Sequence, residues 1–256
     1  MARSISKAPK RGKISRKVQP LMGMDERNTQ PIRRDDKQLT PLNDAQAVYI
    51  NSIQTNNISF GIGPAGTGKT FIAASMAAEA LLIGEVDRII ITRPAVDAGE
   101  HLGFMPGDIN EKYDHYLTPL IEVLTKRLGS GPVEMYRKNG KIEALPLAFM
   151  RGRNLENAFI ILDEAQNTTP SQMKMFLTRF SEGSIGVIDG DCSQTDIDGP
   201  SGLVDALRRL RGVRGIGGAL FTKNDVVRSG LVADILACYE DDIDSEAQRV
   251  IERFFF

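Results

Sequence analysis

Eight consecutive residues match the pattern G-x-x-x-x-G-K-[ST], and they run Gly63, Pro64, Ala65, Gly66, Thr67, Gly68, Lys69 and Thr70. The backbone N–H groups of such a loop turn inward around an anionic phosphate, and glycine tolerates the positive φ that this requires. Lys69 is then placed to reach the β and γ phosphates, and the Thr70 hydroxyl to bind Mg²⁺. The pattern predicts that residues 63–70 bind the phosphates of a nucleotide.

The residues on either side of this loop fit that interpretation. Residues 58–62 form a short β-like run, and residues 71–83 are an uninterrupted helix former rich in Ala and Leu. A helix that begins here points its free N–H groups and positive dipole end at the phosphates. The order strand, glycine-rich loop and helix therefore supports nucleotide binding.

Two adjacent acids follow a second apolar run, residues 158–162. They are Asp163 and Glu164, and in an open α/β fold they lie at the carboxyl edge of the sheet, where ligands bind. Asp163 is predicted to hold Mg²⁺ beside Thr70. Glu164 is predicted to orient and deprotonate the attacking water.

Two glutamines are further candidates. Gln194 follows a predicted strand at residues 185–188 and is placed to sense the γ-phosphate, although a plain turn would have the same letters. Gln46 lies just before the phosphate loop, where its amide offers a donor and an acceptor to adenine N6 and N7. The spacing Asn43-x-x-Gln46 also fits a helix capping box.

The rest of the chain indicates an α/β domain with surface excursions. Strands are predicted at residues 88–92 and 217–222, and helices at 111–128, 202–210 and 231–239. Residues 95–110 are predicted to be a long functional loop and 129–140 a hairpin or surface excursion. The tail, residues 241–256, ends in three phenylalanines that are expected to dock on a partner or on the body.

Charge divides the chain unevenly. Residues 1–37 hold eleven basic and four acidic residues, whereas the whole chain has 32 and 33. Residues 1–39 are therefore predicted to be a basic, disordered arm, which either contacts nucleic acid or only aids solubility. The two cysteines, far apart, suit a reducing cytosol. No stretch is apolar enough to span a membrane.

Eight motifs occur in order and resemble those of the PhoH family: residues 60–70 (FGIGPAGTGKT), 92–96 (TRPAV), 103–108 (GFMPGD), 150–153 (MRGR), 160–168 (IILDEAQNT), 173–179 (MKMFLTR), 190–194 (GDCSQ) and 225–228 (DVVR). The resemblance covers residues 40–240 and implies a three-layer, RecA-like P-loop NTPase with a mostly parallel central sheet. It further implies a Mg²⁺-dependent ATPase in which Gln46 reads adenine, Gln194 senses phosphate, and Asp163 and Glu164 act as metal anchor and catalytic carboxylate. The chain resembles the short, phage-like members of the family. This resemblance implies that the protein is located in the cytoplasm of a bacterium or of an infected host.

Two positions depart from the family pattern. Asp189 stands where the family usually has threonine, and Ser229-Gly230 stand where it usually has His-Pro. The second departure lies next to Arg228. This arginine is the candidate to stabilise the transition state.

One phosphate loop and one domain leave that arginine to be supplied by another subunit, if hydrolysis is efficient. Arg228 is predicted to serve a neighbouring copy in a homo-oligomeric ring, which the family resemblance implies is a hexamer. RNA or single-stranded DNA is the expected further partner. Its contacts are predicted at Arg93, the 95–110 loop and the basic arm.

Other nucleotide-dependent functions remain open. A small-molecule kinase would use the same phosphate loop, and a nucleotide-gated scaffold would bind ATP without hydrolysing it. A GTP switch is excluded, because residues 222–225 (TKND) have the letters of a guanine-reading motif in the wrong order.

Overall fold

A computed structural model describes residues 32–35, 37–94, 117–227 and 245–255. Seven helices lie in these ranges: α1 Asp44–Thr55, α2 Lys69–Ile83, α3 Thr118–Leu128, α4 Ser130–Lys138, α5 Pro170–Leu177, α6 Gly202–Leu210 and α7 Ser245–Phe255. The strands are β1 Ile58–Ile62, β2 Arg88–Thr92, β3 Ile142–Ala144, β4 Ala158–Leu162, β5 Ile185–Gly190 and β6 Ile216–Leu220. Within these ranges no helix is long and apolar enough to cross a bilayer.

The six strands form one sheet in the order β3-β2-β4-β5-β1-β6, and every pairing is parallel. Strands β1 and β4 are buried at every position, as the continuous apolar runs predict for a sheet that is covered on both faces. Strand β5 lies between them. The carboxyl ends of the strands that precede the phosphate loop and the two acids therefore lie at one edge of the sheet.

Helices cover both faces of this sheet. One core contains side chains of α1 to α4, and the other contains side chains of α5, α6 and α7. The result is the three-layer, RecA-like phosphate-loop NTPase fold that was predicted. The packing follows from the parallel connections, because each crossover helix must return the chain over a sheet face.

Several sequence-based boundaries are confirmed, and two helices were not predicted. Residues 129–140, predicted as a hairpin or surface excursion, contain helix α4, which begins after Gly129 at φ 91° with Pro132 in its first turn. The tail was not predicted to be helical, but α7 occupies most of it. Phe254 of α7 packs edge-to-face on Phe60, with ring centroids 5.6 Å apart, so Phe254 docks on the body, whereas Phe256 lies outside the described residues.

Some predictions fall outside the described residues. These are the 95–110 loop, the start of the 111–128 helix, the 231–239 helix, Arg228 and most of the basic arm. The described part of the arm lies along α3 and α4. The Asp35 N–H donates to the Lys126 carbonyl over 2.9 Å, and the Ser130 N–H donates to the Ile32 carbonyl over 3.1 Å.

Candidate functional site

The phosphate loop follows β1 and depends on its glycines. Gly63, Gly66 and Gly68 have φ values of 140°, 84° and 90°. A Cβ at Gly63 would lie 2.2 Å from the carbonyl oxygen of Phe221, so backbone packing also excludes a side chain there. Helix α2 begins at Lys69, directly after the loop. The loop and the helix N-terminus together present backbone N–H groups to an anion.

Lys69 is folded onto its own loop. Its Nζ donates to the carbonyl oxygens of Gly63 and Pro64 over 2.6 and 2.8 Å. The side chain is buried, and burial lowers the pKa of its ammonium group although nearby acids oppose the shift. The loop carbonyls therefore solvate a cation that lies beside the phosphate-binding loop.

Asp163 and Glu164 follow β4 as predicted. Asp163 is 6% exposed, and burial raises the pKa of its carboxyl although the Arg93 guanidinium opposes that shift. Arg93 Nη2 lies 2.9 Å from Asp163 Oδ2 and 3.2 Å from Glu164 Oε1. Glu164 has a φ of 53°, in the left-handed region that non-glycine residues rarely adopt. The two carboxylates thus share one cation and point into the same space.

One cavity, of about 410 Å³, brings the predicted groups together. The predicted residues that line it are Ala65, Gly66, Gly68, Lys69, Thr70, Arg93, Asp163, Glu164 and Gln194. Gly190 and Asp191 at the end of β5 also line it, as do Phe71, Pro119 and Val123. A larger cavity of about 620 Å³ lies between α3, α4 and β3, and none of the predicted site residues lines it. The smaller cavity is therefore the candidate site.

The donor set of this cavity fits Mg²⁺. Thr70 offers a hydroxyl and Asp163 a carboxylate, and the Asp163 carboxylate already attracts a cationic side chain, that of Arg93. Mg²⁺ is commonly held by one or two protein oxygens together with phosphate oxygens and waters. The described residues contain no cluster of three or more His, Cys, Asp or Glu side chains that would form a closed metal cage. That result is compatible with a site completed by phosphate.

Gln46 does not line the cavity, but from helix α1 it forms a hydrogen bond with the phosphate loop. Its Nε2 donates to the Thr67 carbonyl over 3.0 Å, and its Oε1 accepts from the Leu42 N–H over 2.9 Å. Asn43 caps α1 by accepting from the Gln46 N–H. A side-chain amide has two donor hydrogens and two acceptor lone pairs, so one of each remains for a base edge. Adenine contact by Gln46 remains a prediction.

Gln166 was assigned no contact from the sequence, yet it joins the two loops of the site. It is 1% exposed. Its Nε2 donates to Glu164 Oε2 over 2.6 Å, and its Oε1 accepts from the Asp191 N–H over 3.0 Å. The next residue, Asn167, makes a two-point pair with Asp196, at 2.9 Å for each hydrogen bond. The loop that carries Gln194 is therefore fastened to the loop that carries Glu164.

A buried acid beneath the phosphate loop was also missed. The Tyr49 hydroxyl donates to Asp189 Oδ1, and Asp189 is completely buried. Burial and the nearby Asp163 charge raise the pKa of Asp189 to about 7. Gly61 pairs with Asp189 across β1 and β5, and a Cβ there would lie 2.3 Å from Asp189 Oδ1. The departure from threonine at position 189 was the sequence signal for this pair.

Fold and site together define a protein with the phosphate-loop NTPase fold. The sequence profile of the PhoH-like protein family matches residues 38–240, and the chain belongs to that family. It is 51% identical over 197 residues to a PhoH-like protein of Bacillus subtilis (strain 168). The matched region covers 76% of this chain and 62% of the relative. It is 46% identical over 215 residues to Protein PhoH of Escherichia coli (strain K12), covering 81% and 61%.

The chain spans about three fifths of the length of these curated relatives. Among solved structures, it is similar to a Sulfolobus solfataricus SWI2/SNF2 ATPase core in complex with dsDNA. That similarity has a TM-score of 0.38 and 13% identity, over 83% of this chain and 42% of the other.

Proposed function

We propose that this protein binds ATP and hydrolyses it with Mg²⁺, and that the hydrolysis is coupled to RNA or single-stranded DNA. The observation that carries the proposal is the shared cavity, in which Lys69, Thr70, Asp163, Glu164 and Gln194 meet. A phosphate loop alone would support binding. Glu164, the acid that is not assigned to the metal, supports turnover.

Each side chain has a separate task in this proposal. Thr70 and Asp163 would hold Mg²⁺, which would offset the negative charge that develops on the phosphates. Lys69 leaves the loop carbonyls and pairs with the phosphates. Glu164 accepts a proton from the attacking water, while Gln194 contacts the terminal phosphate.

The position of Glu164 supports its role as the base. Its carboxylate borders the cavity, one oxygen accepting from Gln166 and the other lying near Arg93. The Gln166 contact, which does not depend on Arg93, holds the side chain at the cavity, where the proposal requires the attacking water. A carboxylate held in this way needs little reorganisation before it reacts.

The proposal extends to a ring of identical subunits, in which Arg228 reaches the site of a neighbour. Among the described residues, the cations that line the cavity are Lys69 and Arg93, and both already contact groups of the same subunit. The Val227 N–H donates to the Gly66 carbonyl over 3.0 Å, so the chain just before Arg228 lies at the phosphate loop. For Arg228 to serve a neighbour, the phosphate loop would have to lie at the subunit boundary of the ring.

The test compares wild type with Glu164→Gln and Lys69→Ala. We expect Glu164→Gln to keep ATP affinity and lose about 10²- to 10⁴-fold in turnover, because a general base typically contributes that much. Lys69→Ala is expected to lose ATP binding. Phosphate release is measured without any acceptor and with added single-stranded RNA or DNA.

Each other outcome has a defined meaning. Equal turnover in wild type and Glu164→Gln would contradict the role of Glu164. ATP binding without turnover in the wild type, with or without nucleic acid, would favour the scaffold. Phosphate transfer only to an added small molecule would favour the kinase.

A further inference from the structure

The position of Arg93 is set by the register of the sheet. Strands β2 and β4 pair with Thr92 opposite Leu162, and the Asp163 N–H extends the ladder by donating to the Thr92 carbonyl over 3.0 Å. The residues that follow, Arg93 and Asp163, therefore leave the sheet side by side. Pro94 comes next and restricts the backbone of Arg93 to extended conformations. The pairing of β2 with β4 therefore places the guanidinium of Arg93 at the cavity beside the two acids.

A single nitrogen of Arg93 bridges the two acids of the site. Nη2 lies within hydrogen-bond distance of both Asp163 Oδ2 and Glu164 Oε1, at 2.9 and 3.2 Å. The side chain is 21% exposed, so solvent only partly screens these ion pairs. A guanidinium has five donor hydrogens in a planar fork, a geometry that also fits phosphate oxygens.

Charge balance makes this bridge sensitive to what fills the cavity. Three acids line it, Asp163, Glu164 and Asp191, against the two cations Lys69 and Arg93. A divalent cation at Asp163 would replace the attraction that Arg93 now supplies there. A terminal phosphate would bring new anionic oxygens into the same space. Both changes favour rotation of the guanidinium from the carboxylates to the phosphate.

We propose that Arg93, together with Gln194, enables this site to distinguish a nucleoside triphosphate from a diphosphate. It bridges Asp163 and Glu164 while the terminal-phosphate position is empty, and it donates to the terminal phosphate when that phosphate is present. The proposal rests on the proposed nucleotide-binding function. It replaces the sequence-based prediction of a nucleic-acid contact at Arg93, since the side chain faces the phosphate cavity.

The test measures affinities for ADP and for AMP-PNP, a triphosphate analogue that resists hydrolysis, by calorimetry in excess Mg²⁺. Wild type, Arg93→Ala and Arg93→Lys are compared. We expect the preference of wild type for AMP-PNP over ADP to fall roughly 10- to 100-fold in Arg93→Ala, the usual effect of losing one charged hydrogen bond. The ADP affinity is expected to change little, and Arg93→Lys to keep part of the preference.

Arg88 provides the matched control. It lies at the opposite end of the same strand, pairs with Glu143 at 3.4 Å and does not line the cavity. Arg88→Ala should keep the wild-type preference. Retained ADP binding shows that Arg93→Ala is folded, and if that variant does not fold, Arg93→Gln takes its place.

An unchanged preference in Arg93→Ala would overturn the proposal. An equal loss of ADP and AMP-PNP affinity would also overturn it, because Arg93 would then be a general phosphate ligand. A loss of single-stranded RNA binding in the absence of nucleotide, with the preference intact, would restore the nucleic-acid assignment. If wild type binds neither nucleotide, the proposed function itself fails.

Discussion

At the scale of single residues, the site keeps a conformation that its own sequence disfavours. Glu164 lies in the left-handed region of backbone space, which costs a non-glycine residue about 1 kcal/mol or more. Arg93 and Gln166 hold its two oxygens. Such conformations persist only where the surroundings enforce them, so these contacts specify the direction of the carboxylate.

Gln166 is expected to act as a positioning residue for Glu164. Gln166→Ala removes the hydrogen bond that orients the carboxylate, and Gln166→Glu places a second carboxylate against it. Both variants should lower kcat of ATP hydrolysis about 10- to 100-fold, the usual effect of displacing a reacting group by about 1 Å, while nucleotide affinity stays the same. Steady-state kinetics together with ADP calorimetry separate the two quantities.

Gln172 is the control for this experiment, because it belongs to the capping box of α5 and does not line the cavity. Gln172→Ala should leave kcat unchanged and slightly lower the free energy of unfolding. Equal kcat in wild type and Gln166→Ala would show that Glu164 does not depend on Gln166.

Asp189 is expected to make the stability of the protein depend on pH. Its pKa is about 7 in the folded chain against an ordinary value of 3.8, so the folded state binds more protons between these pH values. The free energy of unfolding should therefore fall as pH rises through this window, by at most about 1.4 kcal/mol per unit, and level off above pH 7. Urea unfolding between pH 4 and about pH 8 measures the slope.

Asp189→Asn tests the cause. Its amide oxygen can still accept from Tyr49, but the side chain no longer titrates. We expect a flatter stability profile across the window, with the gain over wild type largest at the alkaline end. A variant profile parallel to that of wild type would assign the pH dependence to other groups.

At the scale of elements, the C-terminal helix is part of the core and not an appendage. Ile251 of α7 is 4% exposed within the core that α5 and α6 share, and Phe254 contacts both Phe60 and Phe255. The helix covers the region near β6, which is the outer strand on that side of the sheet. Cover of this kind protects an edge strand from pairing with other chains.

Phe254→Ala should therefore destabilise the folded domain. We expect a loss of about 1–3 kcal/mol in the free energy of unfolding, less than for a fully buried phenylalanine because Phe254 is half-buried. Phe149, which is 52% exposed, is the control, and Phe149→Ala should change stability by no more than about 0.5 kcal/mol. Equal stabilities of the two variants would mean that α7 does not stabilise the sheet.

At the scale of the whole molecule, the proposed ring makes a prediction about mixed assemblies. Lys69→Ala and Arg228→Ala should each be inactive, the first through loss of nucleotide binding and the second through loss of transition-state stabilisation. If Arg228 serves a neighbour, a mixture contains sites with an intact Lys69 from one subunit and an intact Arg228 from the next. ATPase activity should then recover to a measurable fraction of wild type.

The controls for mixing are each variant alone and a mixture of two Lys69→Ala preparations, none of which should recover activity. Mass measurement of the assembly runs alongside. No recovery in a confirmed mixed oligomer would place Arg228 at its own site. A fully active monomer at high dilution would contradict the ring.

Local sequence predicted much of this architecture. The strands at residues 58–62, 88–92 and 158–162 were recognised as apolar runs, and the structure confirms their bounds. Residues 129–140 were predicted to be a hairpin or surface excursion, and the hairpin alternative was wrong because a helix begins after Gly129, with Pro132 in its first turn. Helix α7 has a strong apolar stripe in its sequence, which the prediction for the tail did not use, and the structure shows that this stripe packs on the core shared by α5 and α6.

What the sequence determined by itself is the chemistry of the loop and of the strand end: glycines where φ must be positive, Lys69 and Thr70 after them, and the acid pair after β4. What only the tertiary structure decided is which groups contact each other across the sheet edge. Arg93 meets the acids and Gln166 meets Asp191 because parallel strands far apart in sequence are set in one register, and Tyr49 meets Asp189 because helix α1 packs on the sheet. Spacing along the chain specifies local backbone conformation, but contacts between strands depend on which strands lie next to each other in the sheet.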